Sequence, residues 1–390
     1  MGSKTNGFVD TDSGNPLTSD VKNYVKDRLD EWNIAGAAIA IIDGDNTYSE
    51  AFGFASLPDV PATEDTLWYF GSAIKTSTAA ILAHLIDSKE HPLLAKGWAT
   101  PVTKILPDEF VLPDEWATKH ITLEDLVCHN SGIDRHDFSI PALDRDGAAV
   151  TLTDQIRKMR RLSFKSEPRA EHSYCNYGYL TLSCVIEKVT GKAFKDVLRD
   201  LVWKPLGMDS TYYSAEDTAG KIKQRLSNGY RWDSKAKKNI LIGPGMSLPA
   251  AAGAGAGITT VRDLAKLVHC LVHETDPFSK TCHKDMKRPR VIAVPEPHLG
   301  TDISTYGLGV YRTIYRNQPV YSHPGTIDSH GSEVVWLPEL KFGVVLMANG
   351  SGTSNRAGKA LVYKFIDDKL GIPEAERTEF NTMFVTPCLF

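Results

Sequence analysis

Three short runs in this sequence carry residue types suited to acyl-transfer chemistry. The first is Gly71-Ser72-Ala73-Ile74-Lys75. A serine hydroxyl is a weak nucleophile until a base takes its proton, and a lysine three positions on in a helix stands one turn away on the same face. Such a lysine serves as the base once burial or a neighbouring charge lowers its pKa. The start of a helix adds backbone N–H groups that favour developing negative charge. The second run is Tyr174-Cys175-Asn176, ahead of an apolar helical stretch. A phenol at a cleft mouth shuttles protons when cations lower its pKa, and an amide side chain orients a substrate carbonyl. The third is His323-Pro324-Gly325, entering strand-like sequence. A glycine there lets a substrate approach the backbone, and the following N–H, on Thr326, suits an oxyanion. Each run also has a bland reading. A lone SxxK fits a surface serine and a solvated lysine, Tyr177 and Tyr179 read as core packing, and a lone histidine is more often structural.

The elements between these runs must bring them together. Asp20 to Trp32 repeats apolar residues at helical spacing, with Ser19 or Asp20 as cap. The apolar run Ala35 to Ile42 reads as a strand, Asp43-Gly44-Asp45-Asn46 as a hairpin turn, and Thr47 to Phe54 as the returning strand. Ser72 to Ile86 is helical. Between 76 and 290 helical signals dominate, at Leu123–Cys128, Thr153–Leu162, Tyr177–Thr190, Phe194–Trp203 and Thr260–His273. Strands resume at Tyr306–Ile314, Ser332–Leu337 and Phe342–Asn349, and Arg356–Leu370 closes as an amphipathic helix. The expected class is α+β, with one antiparallel sheet built from both chain ends and flanked by helices. Residues 1–75 and 291–390 then form the sheet region and 76–290 a mainly helical region, with the active site in the cleft between them.

Composition narrows the function. Lys plus Arg number 44 against 48 Asp plus Glu, a net charge of −4 that argues against a nucleic-acid partner. No apolar run approaches the ~18 residues of a membrane span. The opening residues lack an apolar leader, so a cytoplasmic location is expected. The six cysteines (128, 175, 184, 270, 282 and 388) show no regular spacing and read as free thiols. His269 and His273, with Cys282 and His283 nearby, lack an HExxH pattern, so no metal is expected. Gly253-Ala254-Gly255-Ala256-Gly257-Ile258 has Ile258 where a nucleotide-binding GxGxxG needs its last glycine, and it reads as a flexible loop beside the cleft. No cofactor is expected. The sequon Asn349-Gly350-Ser351 is expected to be silent.

The three runs, in this order, resemble the serine β-lactamase and penicillin-binding-protein superfamily, whose related set is SxxK, SDN and KTG. Tyr174 in place of the first Ser, and His323 in place of the Lys, look like the class C β-lactamase, DD-peptidase and esterase branch. Ile34–Ala40 is similar to that family's first strand, Ile121–Ile133 resembles its ITxxxLLxHxSGL segment, Pro205–Thr211 its PLGMxxT segment, and Gly257–Ala265 its GGxxSTxxDLA segment. The resemblance implies Ser72 as the acyl-accepting nucleophile and Lys75 and Tyr174 as base and proton relay. It implies Asn176 as a contact to substrate or Lys75, the N–H groups of Ser72 and Thr326 as oxyanion hole, and His323 with Gly325 and Thr326 lining the substrate cleft. A lysine at His323 would help hold a substrate carboxylate, so its replacement points away from penicillin. Thr326 and Ser329 replace glycines common after the third run, and Cys175 stands where Ser is common.

The resulting expectation is a serine hydrolase acting through an acyl-enzyme on Ser72, on a small ester, lactone or amide metabolite. Three other readings stay open at this level. One is an acyltransferase moving an acyl group, from an acyl carrier for example, to a small-molecule acceptor. The second is isomerisation or elimination by Lys75 and Tyr174 without acylation. The third is a non-catalytic protein that keeps the fold.

Overall fold

The computed structural model describes residues 14–140, 150–215, 218, 220, 222–243, 251–327, 330–378 and 380. Its spine is a nine-stranded antiparallel sheet. From edge to edge the strands are Val60–Pro61, Asn46–Ser56, Gly36–Asp43, Phe342–Ala348, His330–Leu337, Gln318–Ile327, Tyr311–Tyr315, Ser304–Tyr306 and Val291–Val294. The two ends of the chain therefore meet in the middle of the sheet, where Ile39 pairs with Leu346 and Ala40 with Val345.

Alternation along these central strands explains why they read as unbroken apolar runs. Ala37, Ile39, Ile41, Val344 and Leu346 face one core, shared with Val25 and Leu29 of the helix Ser19–Glu31 and with Leu361 and Ile366 of the helix Ser354–Leu370. Ala38, Ala40, Ile42, Val345 and Met347 face the other core, shared with the helices Ile74–Ser88, Asn176–Thr190 and Val261–His273. A strand covered on both faces has no position left for a polar residue.

Most expected elements are present, with instructive shifts. Thr18, rather than Ser19 or Asp20, caps the first helix by accepting from the Val21 N–H. The expected strand Tyr306–Ile314 is two strands, because the chain leaves the sheet at Gly307–Gly309 and the Gly309 carbonyl accepts from Thr76 of the helix Ile74–Ser88 at 2.9 Å. The run Phe194–Trp203 starts as an α-helix and widens into a π-turn at Arg199–Trp203. The mainly helical stretch also holds a hairpin, Gly229–Asp233 with Lys238–Gly243, which was not expected. The sequon residue Asn349 is buried, its amide donating to the Phe54 carbonyl and accepting from the Gly36 N–H. No helix among the described residues is long and apolar enough to cross a membrane.

Leu346, 1% exposed at the centre of the sheet, tests this architecture. Leu346→Ala is expected to lower unfolding free energy by about 2–5 kcal/mol. Leu241→Ala, at an exposed hairpin position, is expected to stay within about 0.5 kcal/mol of the parent. Urea unfolding of the two variants beside the parent checks both.

Candidate active site

Ser72 sits in a single 3₁₀ turn, Gly71–Ala73, that feeds the helix Ile74–Ser88. Two glycines let this turn press against the strand Gln318–Ile327. Gly71 has φ +51°, and a Cβ on it would lie 2.7 Å from the Thr326 nitrogen. A Cβ on Gly325 would lie 2.0 Å from the Phe70 carbonyl oxygen and 2.4 Å from Ser332 Oγ. Only bare backbone fits at both places, so the Thr326 nitrogen is brought beside the residue preceding Ser72. Ser332 Oγ donates to the Phe70 carbonyl at 2.8 Å and fastens the joint.

Lys75 follows one turn on and is fully buried. Its Nζ lies 3.1 Å from Ser72 Oγ and 2.7 Å from Asn176 Oδ1, and it also donates to the Ala254 carbonyl. Burial holds its pKa well below the ordinary lysine range; Asp137 pushes it back up and Arg135 pushes it down. A neutral amine has two hydrogens and one lone pair. Asn176 Oδ1 and the Ala254 carbonyl can only accept, so they take the hydrogens. Of the three partners only the Ser72 hydroxyl can donate, so the lone pair is left for it.

Tyr174 completes the cluster. Its ring lies 4.9 Å from Lys75 Nζ, and its phenol has the Ser72 hydroxyl as a hydrogen-bond partner. Burial raises its pKa above the ordinary phenol value, more than Ser72 and Arg135 lower it. The expectation of a phenol acidified by cations is therefore corrected. Tyr174 is held as a neutral phenol, beside a Lys75 whose pKa burial lowers. The second motif is held from behind by His129, whose ring lies 4.1 Å from that of Tyr174. His129 Nδ1 accepts from the Cys175 N–H at 3.1 Å, and its carbonyl accepts from the Ser173 N–H at 2.7 Å.

Asn176 contacts Lys75, and Gly325 and Thr326 lie against Phe70 and Gly71, the two residues before Ser72. His323 is placed differently. It is 1% exposed, so its ring does not line the cleft surface. Nδ1–H donates to the Pro324 carbonyl at 2.7 Å, and Nε2 accepts from the Tyr306 hydroxyl at 2.9 Å, the tautomer that fits both partners. Burial pushes its pKa down to about 3, so it is neutral. The two hydrogen bonds hold the ring in the wall. Ser329 lies outside the described residues.

Several functional groups carried no signal that the sequence reading used. Gly253 to Ile258 is not a flexible loop; its first three residues end a short helix, Ala252–Gly255, its last opens the strand Ile258–Thr259, and the Ala254 carbonyl contacts Lys75. Asp137 accepts from Asn176 Nδ2 at 2.8 Å and pairs with Arg135. Asn355 accepts from Thr326 Oγ1 at 2.7 Å and donates to the Gly325 carbonyl at 3.0 Å. The histidines considered for zinc are committed elsewhere: His273 donates to the Gly44 carbonyl and His283 to the Thr275 carbonyl.

The chain is similar to several known proteins. The family model described as Beta-lactamase matches residues 21–366. The chain is 38% identical over 375 residues to an unguisins hydrolase of Aspergillus campestris, covering 96% of this chain and 69% of that protein. Among solved structures, the octameric penicillin-binding protein homologue from Pyrococcus abyssi superposes with a TM-score of 0.77 at 22% identity, covering 95% of this chain and 80% of that one. The D-amino acid amidase from Ochrobactrum anthropi SV3 superposes with a TM-score of 0.72 at 24% identity, covering 90% and 98%. At those identities the two structures speak to the fold.

Substitution of Lys75 or Tyr174 tests the cluster. Lys75→Ala and Tyr174→Phe are each expected to lower kcat/KM for a p-nitrophenyl ester by ~10²–10⁴, the range for a positioned acid or base. Near-normal kinetics in either variant would take that residue out of the mechanism.

Proposed function

The chain belongs to the Beta-lactamase family, and on that premise we propose that it is a serine hydrolase that forms an acyl-enzyme at Ser72 on a small ester, lactone or amide. The observation that carries this reading is the placement of Lys75. Its Nζ is 3.1 Å from the Ser72 hydroxyl, and its two other partners are pure acceptors.

In the proposed cycle the neutral Lys75 amine takes the Ser72 proton as Oγ attacks the substrate carbonyl carbon. The oxygen of that carbonyl becomes an oxyanion, held by the N–H groups of Ser72 and Thr326. Collapse breaks the bond to the leaving amine or alcohol, which receives the proton from Lys75 by way of Tyr174. Water then enters, gives its proton to the same pair, and releases the acid with the Ser72 hydroxyl restored. The cleft lies between the sheet region and the mainly helical region, which we take as the division at about residues 75 and 290. The unguisins hydrolase named above favours water over an alcohol or amine as the acyl acceptor.

A fluorophosphonate probe followed by intact-mass measurement tests the nucleophile. One phosphonyl group is expected on the parent protein and none on Ser72→Ala. An unlabelled parent, or equal labelling of both, would overturn the assignment.

A further inference from the structure

The aim of the Lys75 lone pair depends on which way round the Asn176 amide sits. Oδ1 faces Lys75 at 2.7 Å, and Nδ2 donates to Asp137 Oδ1 at 2.8 Å. Turning the amide over would set Oδ1 against a carboxylate oxygen, two acceptors with no proton between them. It would also aim an N–H at the lysine, so that the lone pair would be taken by Asn176 and not by Ser72. The amide is therefore locked by the group on its far side.

That group belongs to none of the three motifs. Asp137 begins the turn Asp137–Ser139, on the segment that follows Gly132 and Ile133. Its second oxygen pairs with Arg135 Nε, which holds the carboxylate in place. The Arg135 guanidinium in turn lies 5.3 Å from the Tyr174 ring centre. We propose that Asp137 is a positioning residue that orients the Asn176 amide and, through it, points the Lys75 lone pair at the Ser72 hydroxyl. This rests on the serine–lysine reading given above and goes beyond it, because Asp137 touches no reacting atom of that cycle.

The electrostatics add a readout that a purely structural role would not move. Lys75 is faced by Tyr174, Cys175 and Tyr179 from the second-motif segment and its helix, and by His129, His323, Arg135 and Asp137. The carboxylate of Asp137 raises the Lys75 pKa, whereas Arg135 lowers it. Removing the carboxylate lets the Lys75 pKa fall further. Because the neutral amine is the working form, the acid limb of the rate profile then moves to lower pH.

The experiment uses the full chain, a p-nitrophenyl ester, and the variants Asp137→Asn and Asp137→Ala, alone and combined with Asn176→Ala. Near-ultraviolet circular dichroism first establishes that each variant is folded. Asp137→Asn keeps the shape of the side chain, so it serves if Asp137→Ala does not fold. Asp137→Asn keeps an acceptor for the Asn176 amide and is expected to lose less than Asp137→Ala, which should lose about tenfold to a hundredfold in kcat/KM, the size of one hydrogen bond to a charged group. The acid limb of each should move to lower pH. In the Asn176→Ala background the same substitution should change the rate by less than about twofold, since the amide it orients is gone. Equal losses in both backgrounds, or an acid limb that stays in place in folded Asp137→Asn, would overturn the proposal while leaving Ser72 labelling intact. A parent protein that takes no label at Ser72 would overturn the underlying reading and this proposal with it.

Discussion

Exclusion of water from Lys75 is the constraint on which the rest of the site depends. An ammonium group cut off from solvent loses several kcal/mol of hydration, and among the described residues no carboxylate touches this one to offset the loss. Its contacts are a hydroxyl, an amide oxygen and a backbone carbonyl. Those contacts serve a neutral amine well, because two acceptors satisfy its hydrogens and the hydroxyl meets its lone pair. The carboxylate of Asp137 acts one residue removed, through Asn176. It tempers the effect of burial without forming an ion pair that would return the lysine to its charged state.

Such burial needs walls from distant parts of the chain. The helix Ile74–Ser88 carries the lysine. The helix Asn176–Thr190 supplies the amide at its first residue, and the short helix Ala252–Gly255 supplies the carbonyl. The sheet closes the remaining side at the Gly71–Thr326 and Gly325–Phe70 contacts. The central strands are packed on both faces, so the strand bearing Gly325 and Thr326 is part of a rigid frame. Asn355, from the helix Ser354–Leu370, then ties Thr326 and Gly325 to that frame from the far side. A long, doubly covered sheet is what allows a 3₁₀ turn and a strand edge to be held in close contact, as the pair that the proposed oxyanion site needs.

Much of this was legible in the sequence, for a definite reason. Ser72 and Lys75 are neighbours by helical geometry alone, and Tyr174 and Asn176 flank one residue at the start of a helix, so local spacing predicts their company. The apolar runs at both ends likewise announced a sheet buried on both faces. Backbone contributions left no comparable trace. The Ala254 carbonyl belongs to a glycine–alanine run whose composition describes a loop as readily as a packed turn. Asp137 and Asn355 are ordinary polar residues until tertiary folding sets them beside Asn176 and Thr326. His323 was placed on the cleft surface because its motif position suggested it. The hydrogen bonds to Tyr306 and Pro324 that pull the ring into the wall come from backbone geometry and from a strand that sequence alone ran together with its neighbour.

The account rests on Lys75 being an uncharged amine while the serine is attacked, and titration of that one nitrogen tests it most directly. With ¹⁵N-labelled lysine, and Lys75→Ala to assign the signal, the Lys75 Nζ resonance should titrate well below the other lysines. A midpoint with the exposed lysines, near about 10.4, would contradict it. The group beside Ser72 would then be a cation at working pH, and the base would have to be sought elsewhere.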